Sequence, residues 1–530
     1  MRKQLGLVLA AILGVLMMGG DVLGQVVIFT NPITGTDPGL INPYTTGQVI
    51  SSNLTVTGIG RGIGVTGNAA ANRYNANSWN TVALDPTAYF TWGLTPASGY
   101  AIDVSSFVYT GQVSDASINS FAFRSSADLF SANIGTPTST GATINTSSSA
   151  HQNIIAAIEF RLYAWGASAA TNTFSVNDFT YSGLVSNRWS GATSSSLSDG
   201  GNFVSLASPQ PQNGIQFEGA LNTNVVVDSA LSVQGIRFAS GASAFTVGGS
   251  FTLVIDDAGG IANYSSNVQT INANLSINAS QTINASTANI DLGGVVSSNG
   301  TFGITKTGSS TLTLSGNNTY TGNTTVSAGS LLVNGQSSSN SGTGTGTVTV
   351  NSGGTLGGTG RISGITTVNS NATIRAGDAT GLGDPLNFQT SLTIASGATL
   401  STRIADAAGS SNRIEVASGT LSISSTANIH INGTGATFDP TQTYTYLVAQ
   451  RSGQDLSGLS ITDQARFTTS GFDASGFAFK LTGSAAGDVI LTFTPVPEPG
   501  TLLALGAAGL GLLGAYRRYR SPAVGVDTVA

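Results

Sequence analysis

Carboxylates are the side chains of this sequence best suited to chemistry, and they stand in only a few places. Asp256 and Asp257 lie in VIDDAGG, Asp378 and Asp384 in AGDATGLGDP, and Asp406 and Glu415 follow. Two carboxyl groups about 5–10 Å apart in a cleft, one with a raised pKa, could cut a glycosidic bond. The surroundings of these residues favour corners instead. Asp384 precedes Pro385, Asp378 follows Gly377, and Asp256-Asp257 runs into Ala258-Gly259. The two histidines, His151 before IIAAIEF and His430 in ANIHING, have no companion histidine for a zinc site and read as surface or rung residues. Cysteine is absent, which removes thiolate nucleophiles and cysteine-ligated metals. No G-x-S-x-G elbow and no regular G-G-x-G-x-D calcium repeat occurs, and GTGTGTV reads as corner and strand rather than a phosphate cradle. The expectation is no catalytic residue, no cofactor and no metal.

Aromatic residues offer a softer chemistry, because the C–H faces of sugar rings stack on exposed rings. Tyr89, Trp92, Tyr100 and Trp165 are the ones to test. Their competing role is filling a core, which most Trp and Phe of β domains do. That role is preferred, so they are assigned no site.

The elements that must position these residues follow from composition. Over 530 residues the chain has 69 glycines, 8 % charged residues and a formal net charge of −6. So little charge gives no basic footprint for nucleic acid. With 40 % hydrophobic residues the chain is too apolar for a disordered one. Without disulfides it must be held by backbone ladders and packed apolar rows.

Residues 25–185 are rich in aromatics and alternate like strands. In FRLYAWG, Phe160, Leu162 and Ala164 point one way while Arg161, Tyr163 and Trp165 point the other. AIDVSSFVYTG and NTFSVNDFTYSG read the same way, which predicts an antiparallel β-sandwich. From residue 186 the strands shorten and are separated by Gly, Ser and Asn, as in GTVTVNSGGTLGG and SLTIASGATLS. No such unit buries a core alone, but stacked units do, so residues 186–493 predict a parallel β-helix. Asn and Ser at the corners could form side-chain ladders, and TYTYLVAQRSG could form a terminal cap.

One unit, Gly303 to Gly335, is more specific. Lys306-Thr307-Gly308, Leu312-Thr313-Leu314-Ser315-Gly316, Asn318-Thr319-Tyr320-Thr321-Gly322 and Leu331-Leu332-Val333-Asn334-Gly335 closely resemble the autotransporter-associated β-strand repeat. That resemblance implies a right-handed parallel β-helix. An autotransporter ends in a translocating β-barrel, whereas this sequence ends in one apolar segment, so the helix reads as a passenger-like rod exported by the general route.

Both ends read as export signals. Residues 1–24 carry Arg2 and Lys3, an apolar run from Leu5 to Met18, and Val22 and Gly24 at the −3 and −1 positions of a signal peptidase site. A retained N-terminal anchor is the alternative. Residues 496–520 read VPEPGTLLALGAAGLGLLGAYRRYR, and about 20 residues at 1.5 Å each would cross a ~30 Å hydrocarbon core. Arg517, Arg518 and Arg520 would stay cytoplasmic. A buried helix of a globular domain is the alternative. Val496-Pro497-Glu498-Pro499, the apolar segment and the arginines together resemble the PEP-CTERM sorting signal of Gram-negative bacteria. The resemblance implies handling by an exosortase and an association with exopolysaccharide. The tail 521–530 departs from it, since such proteins usually stop soon after the arginines. The close of residues 25–185 also resembles the jelly-roll domain near the front of other PEP-CTERM proteins.

The combined reading is an all-β protein: a jelly-roll-like sandwich, a right-handed parallel β-helix and a single C-terminal transmembrane helix. Its expected role is a structural or adhesive protein of the cell surface or extracellular matrix, at least transiently anchored in the inner membrane. Expected partners are signal peptidase, exosortase and exopolysaccharide or other glycans. The rivals are a β-helical polysaccharide-degrading enzyme and a matrix filler without a discrete ligand.

Overall fold

Alternation in the first part of the chain produces two antiparallel sheets with an aromatic core between them. The computed structural model describes residues 26–335, 341–377, 385–404, 410–433 and 437–496. In one sheet, Leu54–Arg61, Tyr89–Pro96, Ile158–Trp165 and Ser120–Ser125 lie side by side in that order. In the other, Tyr100–Val113 pairs with Phe174–Trp189 and Gly141–Asn145, and Val26–Asn31 pairs with the far side of Phe174–Trp189. Phe160, Leu162 and Ala164 point into the core as expected. Trp92 meets Phe107 at 4.9 Å and Phe179 at 5.4 Å, and Phe107 stacks on Phe123 at 4.6 Å. Such ring pairs contribute about 0.5–1.5 kcal/mol each beyond area burial.

Tyr100–Val113 departs from the expected alternation, because every residue from Tyr100 to Phe107 is buried. The cause is a second layer on its outer face. Asp103 there meets Arg237, and Gln152 donates to the Val104 carbonyl. Phe174–Trp189 leads into that layer. Its first part pairs with the sandwich, and Ser186–Trp189 continue in parallel with Gly214–Phe217. The boundary expected at 185/186 falls inside this strand.

A parallel β-solenoid grows from that point. Between Gly214 and Val350 ladder partners lie 19 to 25 residues apart, as in Leu312↔Leu331 and Ile236↔Ile261. Three ladders turn around an apolar interior. One passes through Gly214–Phe217, Ile236–Phe238, Ile261–Asn263, Gln281–Ala285 and Ile304–Thr307. A second includes Gln269–Ile271, Ile290–Leu292 and Thr311–Leu314, and a third Leu231–Val233, Leu253–Ile255 and Leu275–Ile277. Each short strand supplies one or two inward side chains, and stacking aligns them into rows. Ile215, Ile236, Ile261 and Ile283 form one such row, all buried.

Asn263 and Asn318 bridge turns through the backbone. Asn263 Nδ2 donates to the carbonyls of Asn267, Ala288 and Asn289, and Asn318 joins Val296 N–H to the Gly342 carbonyl. Lys306, fully buried, performs a related task. Its ammonium donates to the carbonyls of Thr307, Gly308 and Ala328 at 2.6–3.1 Å, tying one turn to the next. Gly308 follows at φ +77°, where a Cβ would strike the Ala285 carbonyl at 2.3 Å. The Lys-Thr-Gly signature is thus a corner plug. Lys306→Met is expected to lower stability by about 1–3 kcal/mol, because buried carbonyls lose their donor. A urea titration checks this through its midpoint.

The chain divides into two compact units, Met1–Leu356 with Gly360–Thr366, and Gly357–Thr359 with Thr367–Ala530. Within the second, parallel ladders again run through Thr373–Arg375, Thr399–Arg403, Asn428–Asn432 and Phe467–Ser470. Tyr444–Gln450, the expected cap segment, is where pairing changes sense. Ala449 and Gln450 pair in parallel with Ile414 and Glu415, whereas the strand as a whole pairs antiparallel with Asp488–Pro495. Phe477–Gly483 completes that antiparallel end around Phe493, against which Phe472 and Phe479 pack.

Among the described residues the helical pieces are 3-10 turns, and none is long and apolar enough to cross a membrane. The expected signal peptide and transmembrane segment lie outside the described residues, except Val496, which is exposed.

Candidate functional site

The candidate carboxylates that can be placed are held in structural bonds. Asp256 accepts hydrogen bonds from the Ser232 hydroxyl and, at 2.7 Å, from Asn278 Nδ2, which links three successive turns. Asp257 accepts from the Ala258 N–H at 2.7 Å, as a corner residue would. Glu415 forms an ion pair with Arg413 at 2.7 Å and lies in an outward row between Asn387 and Gln450. Asp378, Asp384 and Asp406 lie outside the described residues, as do Pro497, Glu498, Pro499, Arg517, Arg518 and Arg520.

His151 is buried between two hydroxyls, Ser125 Oγ at 2.9 Å from Nε2 and Ser148 Oγ at 2.9 Å from Nδ1. Burial lowers its pKa against the opposing pull of the Asp128 carboxylate. Ser125 is itself 2 % exposed, so this Ser–His contact is sealed from any substrate. His430 sits on an outward row of the second unit, bonded to Thr468 and Ser470 on the next turn. Among the described residues no three His, Asp or Glu side chains gather to hold a metal.

The aromatic candidates separate. Trp92 and Tyr100 belong to the sandwich core, while Tyr89 and Trp165 are half-buried on the outer face. That outer face of the four-stranded sheet holds a groove of about 520 Å³. Register explains its composition. Gly93 lies opposite Glu159, and Thr91 lies between Gly60 and Arg161, so alternate residues of three strands share one surface. The rim is supplied by Asn42, Pro43, Ser126 and Ala157.

Glu159 organises the floor. Its Oε1 accepts from Thr91 Oγ1 at 2.8 Å and from Arg161 Nε at 2.7 Å, and its backbone N–H donates to Ser126 Oγ. The Arg161 guanidinium is in turn clamped between two rings, 4.2 Å from the Tyr89 centroid and 3.8 Å from that of Phe130. Arg61, at the other side, donates to the Gly39 carbonyl and the Tyr74 hydroxyl. Arg161 is therefore fixed by Glu159 and two rings, whereas Arg61 lines the groove while Nη1 holds Gly39 and Tyr74. The sequence reading missed Glu159, Arg161 and Thr91. Two signals were present: a glycine in the middle of YFTWGLTP, and the two-residue spacing of Glu159 and Arg161 on a strand.

Two family models match the chain. The passenger-associated-transport-repeat matches residues 304–333, the turn built around Lys306. The PEP-CTERM protein-sorting motif matches residues 495–521, which span Val496-Pro497-Glu498-Pro499 and all three arginines. The chain carries a PEP-CTERM sorting motif. No match was found among curated proteins. A PEP-CTERM tail implies an exported surface protein processed by an exosortase, and the β-solenoid fits that setting.

Proposed function

We propose that this PEP-CTERM protein is a structural and adhesive component of the cell surface or extracellular matrix, associated with exopolysaccharide and acting without catalysis. The observation that carries the reading is the sorting motif at 495–521 on a chain whose described body is β-sandwich and β-solenoid. Signal peptidase removes residues 1–24, the apolar C-terminal segment anchors the protein at least transiently in the inner membrane, and the exosortase handles the tail. The solenoid supplies surface whose outward rows include threonine and asparagine, as in Thr305, Thr325 and Asn387. Hydroxyl and amide rows of this kind match the hydrogen-bonding chemistry of polysaccharide. Support for a non-enzymatic role comes from the engagement of Asp256, Asp257 and Glu415 in turn and rung contacts.

Cell fractionation tests the proposal. The full chain is expected at the surface or in the matrix. A chain with Arg517, Arg518 and Arg520 changed to alanine is expected to leave that fraction and to accumulate unsorted. Equal surface levels of the two chains would defeat the sorting role of the tail.

A further inference from the structure

We infer that the groove on the outer face of the four-stranded sheet is a binding site for a hydroxyl-rich polysaccharide. This deepens the adhesive reading above and rests on it. Three observations converge.

The first is the floor. Gly93 sits inside Tyr89–Pro96 and Gly60 one residue before the end of the adjacent Leu54–Arg61, and glycine in a strand commonly marks close approach of a ligand or another backbone. Neither has a positive φ, so backbone conformation does not demand glycine there. A Cβ on Gly93 would meet Thr57 Cγ2 at 2.8 Å, and one on Gly60 would meet Thr91 Cγ2 at 3.2 Å. Side chains at these positions would build up the floor of the groove.

The second is the set of open hydrogen-bonding groups. Glu159 uses Oε1 for both its side-chain partners and leaves Oε2 open. Asn42 accepts through Oδ1 from Arg61 N and the Tyr74 hydroxyl, leaving its amide N–H groups open. Thr95, exposed at the edge, adds a hydroxyl. Acceptor, donor and hydroxyl thus face one cleft, the mixture that sugar hydroxyls need.

The third is charge. Glu159 is neutralised by Arg161, while Arg61 lines the groove and sends both its side-chain bonds from Nη1, to the Gly39 carbonyl and the Tyr74 hydroxyl. The cleft thus adds a guanidinium donor to its neutral groups, and sugar hydroxyls and carboxylates can both accept from it. The groove's volume lies within the range of small-ligand clefts, and its open form suits a segment of a longer chain.

The test titrates the full chain with cellohexaose, xylohexaose and mannohexaose, and with trigalacturonate as the acidic comparison, by calorimetry. At least one of the four oligosaccharides is expected to bind. Gly93→Leu, which fills the floor, and Thr91→Val with Glu159→Gln, which strip its polar groups, are each expected to weaken that binding about ten-fold or more. Unfolding midpoints identify any variant lost to misfolding, and the second variant then decides. Binding unchanged in both variants, or no binding of any of the four oligosaccharides, would overturn the assignment. Undiminished retention of these variants on whole exopolysaccharide would place adhesion elsewhere and leave the surface role standing.

Discussion

Replacing Asp103 by alanine is expected to destabilise the first compact unit by about 3–5 kcal/mol, since it leaves a buried guanidinium without its counter-charge. Asp103 and Arg237 meet at 2.7 Å with side chains only 5 % and 2 % exposed. Arg237 also donates to the carbonyls of Ile236, Gly259 and Gly260, while Asp103 accepts from the Asn153 N–H. The pair therefore joins a sandwich strand to two turns of the solenoid. Its removal should be felt at that junction first, as faster amide exchange in Gly214–Phe217 and Ile236–Phe238. Asp103→Leu combined with Arg237→Met should recover much of the loss, because a buried ion pair replaced by apolar groups is often neutral or better. A loss below about 1 kcal/mol for Asp103→Ala would show that the junction is held by packing alone.

Trp92→Ala is expected to cost about 3–5 kcal/mol, as large aromatic truncations in a core do. Its ring touches Phe107, Phe179 and Tyr181 across the two sheets. The indole N–H is buried without an acceptor, so Trp92→Phe should lose much less, because it removes an unsatisfied donor while keeping a ring. Chemical denaturation of the three proteins checks the order. A Trp92→Ala protein as stable as the parent, yet deficient in glycan retention, would return this residue to the surface role weighed from sequence.

The fold was legible where side-chain period speaks. Short Val/Ile/Leu strands between Gly and Asn corners imply stacked turns, and the rows of Ile215, Ile236, Ile261 and Ile283 are the result. The Lys306-Thr307-Gly308 signature was legible as a repeat but not as a plug, since the carbonyl of Ala328 comes from the next turn. The junction was hidden because Asp103 and Arg237 lie 134 residues apart and meet only through the shared strand Phe174–Trp189. For the same reason that strand runs through the position where composition changes.

The groove was hidden by register. Thr57, Thr91 and Glu159 are remote in sequence, and pairing of Tyr89–Pro96 with both its neighbours sets them on one face. Carboxylates drew attention first because their chemistry is nameable in isolation. Glu159 escaped notice because what distinguishes it is one carboxylate oxygen committed to Arg161 and Thr91 and the other left open.

The most direct measurement incubates the full chain with exopolysaccharide of the producing cell and scores retention and newly released reducing ends in the same tubes. Retention on the polymer with no release of ends is the expected result, and it supports a surface protein that holds polysaccharide without cutting it. Released ends, or failure to be retained at all, would contradict it.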